Sequence, residues 1–330
     1  MEQAQTRPRP APSGAAPTEE SRTRRALRRA SPEILGYTVL AAVLGALLWS
    51  HVGDVDGFYL DEWFYVNGSQ YIWENFPAGL VETIPEWNRG PQRLYSTLLA
   101  LAWGPFSPST AYTLSHLLNV LLMVSAIVPT ALLARRTIDV PLLRVLAVAL
   151  GVAIPWLTIS SHQLTENLAF PLFLWAVYAT IRAAEDPSPV RQVAALAVIA
   201  ALVLCRLNLG FVLIVFFVAV IAGEVVRRRS ERAEPWGAWL RHALRRQAIP
   251  IAAALAALAL SVSGVVNLGA YGGVNLDTAL ERLFGDAASE TRTTMLTYSR
   301  GLVVGCLVFP FAIGVGVALA GIFGRAGRRP

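Results

Sequence analysis

Asp61 and Glu62 stand side by side in the aromatic run Phe58-Tyr59-Leu60-Asp61-Glu62-Trp63-Phe64-Tyr65. A carboxylate so placed can take a proton from a hydroxyl, general-base work that contributes about 10²- to 10⁴-fold to a rate. Arginine is the residue for holding phosphate, because its planar guanidinium matches two oxygens at once. Three arginines stand out: Arg206 inside an apolar stretch, and Arg89 and Arg93 in Asn88-Arg89-Gly90-Pro91-Gln92-Arg93. Each of these has a plain structural alternative. The acids can be solvated charges on a loop, Arg206 can snorkel to an interface, and Arg89 and Arg93 can pair with Glu82 or Glu86. His116 and His162 have the surroundings of hydrogen-bonded structural residues, and no His-and-carboxylate spacing marks a metal site. Cys205 and Cys306 lie in or near apolar segments and read as small hydrophobes rather than a disulfide or a metal pair.

These residues need a frame, and composition supplies its class. The chain has 330 residues, 55% hydrophobic and only 15% charged, with long uncharged runs that belong to a membrane protein and not to a soluble enzyme. The net charge of +6 comes entirely from arginine, and the arginines cluster beside apolar runs as topology signals do. No nucleic-acid motif accompanies them, so nucleic acid is not an expected partner. The absence of lysine, with the richness in Ala, Gly and Val, fits a GC-rich bacterial genome.

Residues 1–30 read as a disordered tail carrying a basic patch at 22–29, ahead of an all-α transmembrane domain over 31–330. Ser31, Pro32 and Glu33 are helix-start chemistry for a first, uncleaved span over 34–50 with its N-terminus inside. A polar outer loop follows, within 52–110, and its segment 53–93 carries the acids. On a helix there, Tyr59, Trp63, Val66, Gln70 and Trp73 share one stripe, suited to a membrane interface, and Asp61 points away from it. Residues 94–103 are apolar but too short to cross, ending at Gly104-Pro105. Spans are expected at 112–134, 142–159 and 167–181, with an outer turn at 160–166. The run 193–223 is too long for one crossing and short for two. Arg182 and Arg191 before it and Arg227-Arg228-Arg229 after it place both ends inside, so the chain must turn back near Arg206-Leu207-Asn208-Leu209-Gly210. An inner amphipathic loop at 227–246 has Trp236 and Trp239 as surface anchors. A span at 249–266, an outer loop at 267–300 with a short helix at 277–284, and a last span at 301–323 complete eight crossings. No internal repeat is visible.

An Asp-Glu pair shortly after the first span, followed by Tyr and an amphipathic stretch, resembles the signature of the GT-C membrane glycosyltransferases. This superfamily includes the protein O-mannosyltransferases and the aminoarabinose transferases, which draw sugar from a polyprenyl-phosphate carrier. The likeness extends over roughly 33–329. Its other anchors are Leu164-Thr165-Glu166 through Phe173, similar to the family's outer-turn-to-helix element, and Arg206 opening an apolar hairpin arm. The resemblance implies inverting transfer at the outer face of the cell membrane, from a polyprenyl-phosphate sugar to a hydroxyl of a glycan, lipid or protein. It gives Asp61 the role of base and Glu62 that of a helper bonded to acceptor or helix backbone. Arg206, and after it Arg89 and Arg93, would hold the phosphate, with Glu166, His162 and Tyr65 toward the substrate cavity. Some members hold a divalent cation near the acidic loop; the sequence assigns no cofactor. A multi-pass transporter or flippase is the competing class, marked by inverted repeats and midplane charges, and a non-catalytic scaffold would tolerate loss of Asp61.

Overall fold

The computed structural model describes residues 19–50, 52, 60–80, 93–153, 161–230 and 235–262, and every regular element among them is helical. Helix α1 (Glu19–Ser50) begins well before the expected cap at Ser31 and carries Pro32 inside it. The Arg-Ala-Leu-Arg stretch before Pro32 is made of strong helix formers, which extends the helix back into the segment expected to be disordered. The stretch from Pro32 to Ser50 is long and apolar enough to cross a membrane, matching the first expected span. Glu33 is not a solvated cap acid. It is buried, accepting hydrogen bonds from Tyr37 (2.9 Å), from Arg135 Nε (2.9 Å) and from Arg144 Nη2 (3.0 Å).

The acids lie on α2 (Leu60–Glu74), which packs on the short α3 (Leu94–Trp103), whose bounds are those expected. Helix α4 (Pro108–Ser125) starts with proline in its first turn, where the missing N–H costs nothing. It gives way at Ala126 to α5 (Ile127–Thr137). Pro129 explains the break: it has no N–H for the carbonyl four residues back and its ring crowds that carbonyl. The expected span at 112–134 is therefore longer and broken in two, and Pro108–Thr137 together are long and apolar enough to cross. Helix α6 (Pro141–Ala153) is the described portion of the third expected span; Pro155 lies outside the described residues. Helix α7 (Glu166–Glu185) is the third segment of crossing length.

The run with the counting problem turns back on itself. Helix α8 (Pro189–Cys205) ends at Arg206, a 3₁₀ turn covers Leu207–Gly210, and α9 (Phe211–Ser230) departs. Arg206 pairs with Glu166 at the start of α7, whereas Arg227 donates to the carbonyls of Ala184 (3.0 Å) and Glu185 (3.1 Å) at its end. The two arms thus run the length of α7 in opposite directions. Gly223 makes the close approach possible, since a Cβ there would sit 2.7 Å from the Ala184 carbonyl oxygen. Buried Ala176, Ala183 and Ala195 do the same for α7 against α8, the small-residue packing of helices in lipid.

Two apolar clusters hold these helices. Tyr95, Leu99, Leu202 and Phe216 centre one on α3, α7, α8 and α9, while Leu44, Leu48, Met123 and Val148 centre the other on α1, α4, α5 and α6. Outward faces are apolar too, with exposed Val39, Val43 and Leu47 on α1, Leu142, Leu146 and Leu150 on α6, and Ile214, Val218 and Ile221 on α9. Such stripes belong on helices that meet lipid. At the arginine-rich end, α10 (Trp236–Arg246) is amphipathic, with Trp236 exposed and Arg228 lying over the Trp236 and Trp239 rings. Helix α11 (Ala248–Val262) follows; the second outer loop, its short helix, the last span and Cys306 lie outside the described residues.

Candidate active site

Helix α2 presents Glu62, Tyr65, Ser69 and Ile72 to the protein and leaves Trp63 and Trp73 exposed. The buried positions recur every three and four residues, as one face of a helix does, and that register decides which acid goes inside. Glu62, with 3% of its surface exposed, is the buried one. Asp61 is half-buried beside it, in the first turn of the helix, where the backbone dipole favours a carboxylate. The Trp63 and Trp73 positions agree with the expected stripe. The acid that turns into the protein is Glu62 rather than Asp61, because Glu62 falls in line with Tyr65 and Ser69.

The residues that receive Glu62 come from the turn before α7. The Gln163 backbone N–H donates to Glu62 Oε1 at 2.6 Å, and His162 Nδ1 lies 3.3 Å from the same oxygen. A buried carboxylate needs a donor to replace water, and the Gln163 N–H supplies one. The turn is itself held from behind: the His162 carbonyl accepts from Asn119 Nδ2 (3.1 Å) and from Asn167 Nδ2 (2.8 Å). Gln163 donates through Nε2 to Ser115 Oγ (2.9 Å) and accepts at Oε1 from the Trp103 indole N–H (3.1 Å). Tyr95 donates to Asn119 Oδ1 at 2.8 Å. Burial pushes the Tyr95 hydroxyl well above its usual pKa, against the opposing pull of Asn119 and Asn167, so it remains a donor at any physiological pH. Glu62 and Cys205 both add to that shift.

At that tip Arg206 forms its ion pair with Glu166, each side chain 28% exposed. Glu166 also accepts from the Thr165 hydroxyl (3.2 Å), and the Cys205 thiol donates to the Thr165 carbonyl (3.5 Å). The structure thus brings Asp61, Glu62, His162, Glu166 and Arg206 to one end of the bundle. Arg206 is not stranded in an apolar helix, since it caps α8 at the turn. Tyr65 belongs to the core, edge-on to Tyr95 with ring centroids 5.6 Å apart. It supports α2 on α3. Arg93 donates to the Gly79 carbonyl (3.2 Å) and so ties the start of α3 to the turn after α2. Arg89, Glu82 and Glu86 lie outside the described residues.

Sequence reasoning passed over Gln163, Asn119, Ser115 and Trp103. The available signal was Ser115, His116 and Asn119 at helical spacing inside an otherwise apolar run, a polar face that a membrane helix keeps only when something satisfies it. Among the described residues no three His, Cys, Asp or Glu side chains are grouped to hold a divalent cation. Glu62 accepts from the Gln163 N–H, with His162 Nδ1 3.3 Å away. Neither a protein-family model nor any curated protein or solved structure matches the chain.

Proposed function

We propose that the protein is a membrane glycosyltransferase of GT-C type that moves a sugar from a polyprenyl-phosphate carrier to an acceptor hydroxyl at the outer face, with inversion. The observation that carries the reading is the buried Glu62 network with half-buried Asp61 beside it, at the same end of the bundle as Arg206. The opposite end gathers Arg135, Arg136, Arg191, Arg227 and Arg246. By the tendency of positive charge to stay inside, the carboxylate end faces out.

The chemistry asks little of the protein. Phosphate on a lipid is already a good leaving group, so no strong acid is needed. Asp61 takes the acceptor proton as the acceptor oxygen bonds to the anomeric carbon and the carbon–oxygen bond to phosphate breaks, with the electron pair leaving on phosphate. Glu62 positions Asp61 by locking the first turn of α2 onto the 162–163 turn. Arg206 receives the departing phosphate by exchanging Glu166 for it, the bidentate match a guanidinium provides.

Reconstituted protein supplied with polyprenyl-phosphate hexoses and pentoses tests this directly. Donor-dependent transfer is expected, and Asp61→Asn lowers it by about 10²- to 10⁴-fold with insertion and folding unchanged. Full turnover by Asp61→Asn removes the base from this site and returns the transporter reading to first place.

A further inference from the structure

Beside the Glu62 network lies a cavity of about 200 Å³ lined by Gln70, Trp73, Glu74, Trp103, Gly104 and Phe106. It sits where the end of α2 meets the end of α3. Two features mark it as built. A Cβ at Gly104 would overlap the Trp73 indole, so the bare glycine leaves that ring room against the backbone while 46% of the tryptophan stays exposed. Trp103 is fixed from its other side, its indole N–H donating to Gln163 (3.1 Å), whose own backbone N–H reaches Glu62. The cavity wall and the buried carboxylate are thus joined through one residue.

We infer that this cavity binds one pyranose ring of the acceptor; the inference rests on the glycosyl-transfer reading above. A sugar ring has two kinds of surface. Its C–H face suits the electron-rich faces of Trp73, Trp103 and Phe106, and its hydroxyls suit Gln70, which donates and accepts, and Glu74, which accepts. Pockets that enclose drug-sized ligands run to about 300–1,000 Å³, so this one takes a single ring. A quaternary ammonium is the other ligand that aromatic walls attract, and Glu74 suits its charge; the Gln70 amide, which offers it no bond and offers a sugar both a donor and an acceptor, favours the sugar.

The test is binding without donor. Full-length protein in lipid nanodiscs is titrated with methyl α-mannopyranoside, methyl β-glucopyranoside, methyl β-galactopyranoside and, separately, choline, read by saturation-transfer NMR. At least one glycoside should bind and choline should not compete. Trp73→Ala and Gly104→Val, the latter evicting the indole, should each weaken binding by about tenfold or more. Gln70→Ala, which leaves the rings in place, should weaken it as well. In turnover, Trp73→Ala should raise the acceptor KM with kcat little changed. No glycoside binding by the wild type, binding indifferent to all three substitutions, or displacement by choline overturns the sugar site. These results are read without any transfer, so they leave the Asp61 assay to judge the glycosyltransferase reading on its own.

Discussion

Arg206 can hold a phosphate only by giving up Glu166. From the sequence, Arg206 had two fates, an anion clamp or a snorkelling charge, and neither involved Glu166. In the structure the two pair at the hairpin tip, both partly open to solvent. If Arg206 must leave Glu166 to take a phosphate, the pair competes with the donor. Glu166→Gln should then tighten donor binding about two- to fivefold, the worth of a partly exposed ion pair at ~0.5–1 kcal/mol. Calorimetric titration with a short-chain polyprenyl-phosphate sugar reads this out, and weaker binding by Glu166→Gln would show that the pair builds the site instead of guarding it. The two acids were legible from the sequence, but which of them faces inward was not. That depends on the Gln163 amide, 101 positions along the chain from Glu62, and no local pattern carries such a distance.

Among the elements, the short helix Leu94–Trp103 and the reversal at Arg206–Gly210 could be read because each is written in local terms. Gly104-Pro105 ends the first, and arginines on both sides settle the second. The break at Ala126 is equally local, since Pro129 stands three residues beyond it, yet a continuous apolar run conceals it. A continuous hydrophobic stretch says how much chain can cross and nothing of where it bends. The closeness of α7 and α9 was invisible for a different reason: it is set by Gly223 meeting a backbone carbonyl of another helix. Gly223→Ala separates the two influences. Alanine gains up to about 1 kcal/mol of helix propensity, but its methyl overlaps the Ala184 carbonyl, and overpacking of this kind costs about 1–3 kcal/mol. Net destabilisation is expected in thermal unfolding in detergent. A higher Tm would mean that α7 and α9 stand further apart than described.

For the whole molecule, the proposed orientation rests on the arginines gathered at one end, since positive charge tends to stay inside. Reporter fusions at Arg136, Asp186 and Ser230 are expected to report cytoplasm, and fusions at Ala78 and Gln163 the outside. A fusion at Ser230 that reported outside would break the reversal at Arg206, and with it the shared location of Arg206 and Glu62. The arginine end is also the more firmly tied. Besides the Glu33 cluster, Glu224 accepts from Arg246 (3.1 Å) and Gln247 (2.7 Å), and Gln192 donates to Gln247 (2.9 Å), which joins α8, α9 and the start of α11.

The Glu33 cluster also sets an order of events during synthesis. Its arginines follow Glu33 by 102 and 111 positions, so at about 5–20 residues per second a ribosome delivers them on the order of 5–20 s after Glu33 has emerged. Throughout that interval α1 holds Glu33 with neither arginine yet made, and water must serve in their place. The first helix is then threaded but not fastened, within reach of the insertion machinery and of membrane proteases. Nascent chains arrested before Arg135 should accordingly be degraded faster than chains arrested beyond Arg144, and Glu33→Gln should narrow that difference. Equal lifetimes at the two arrest points would mean that α1 is secured by its apolar packing alone, and that the glutamate takes its arginines only after the bundle has closed.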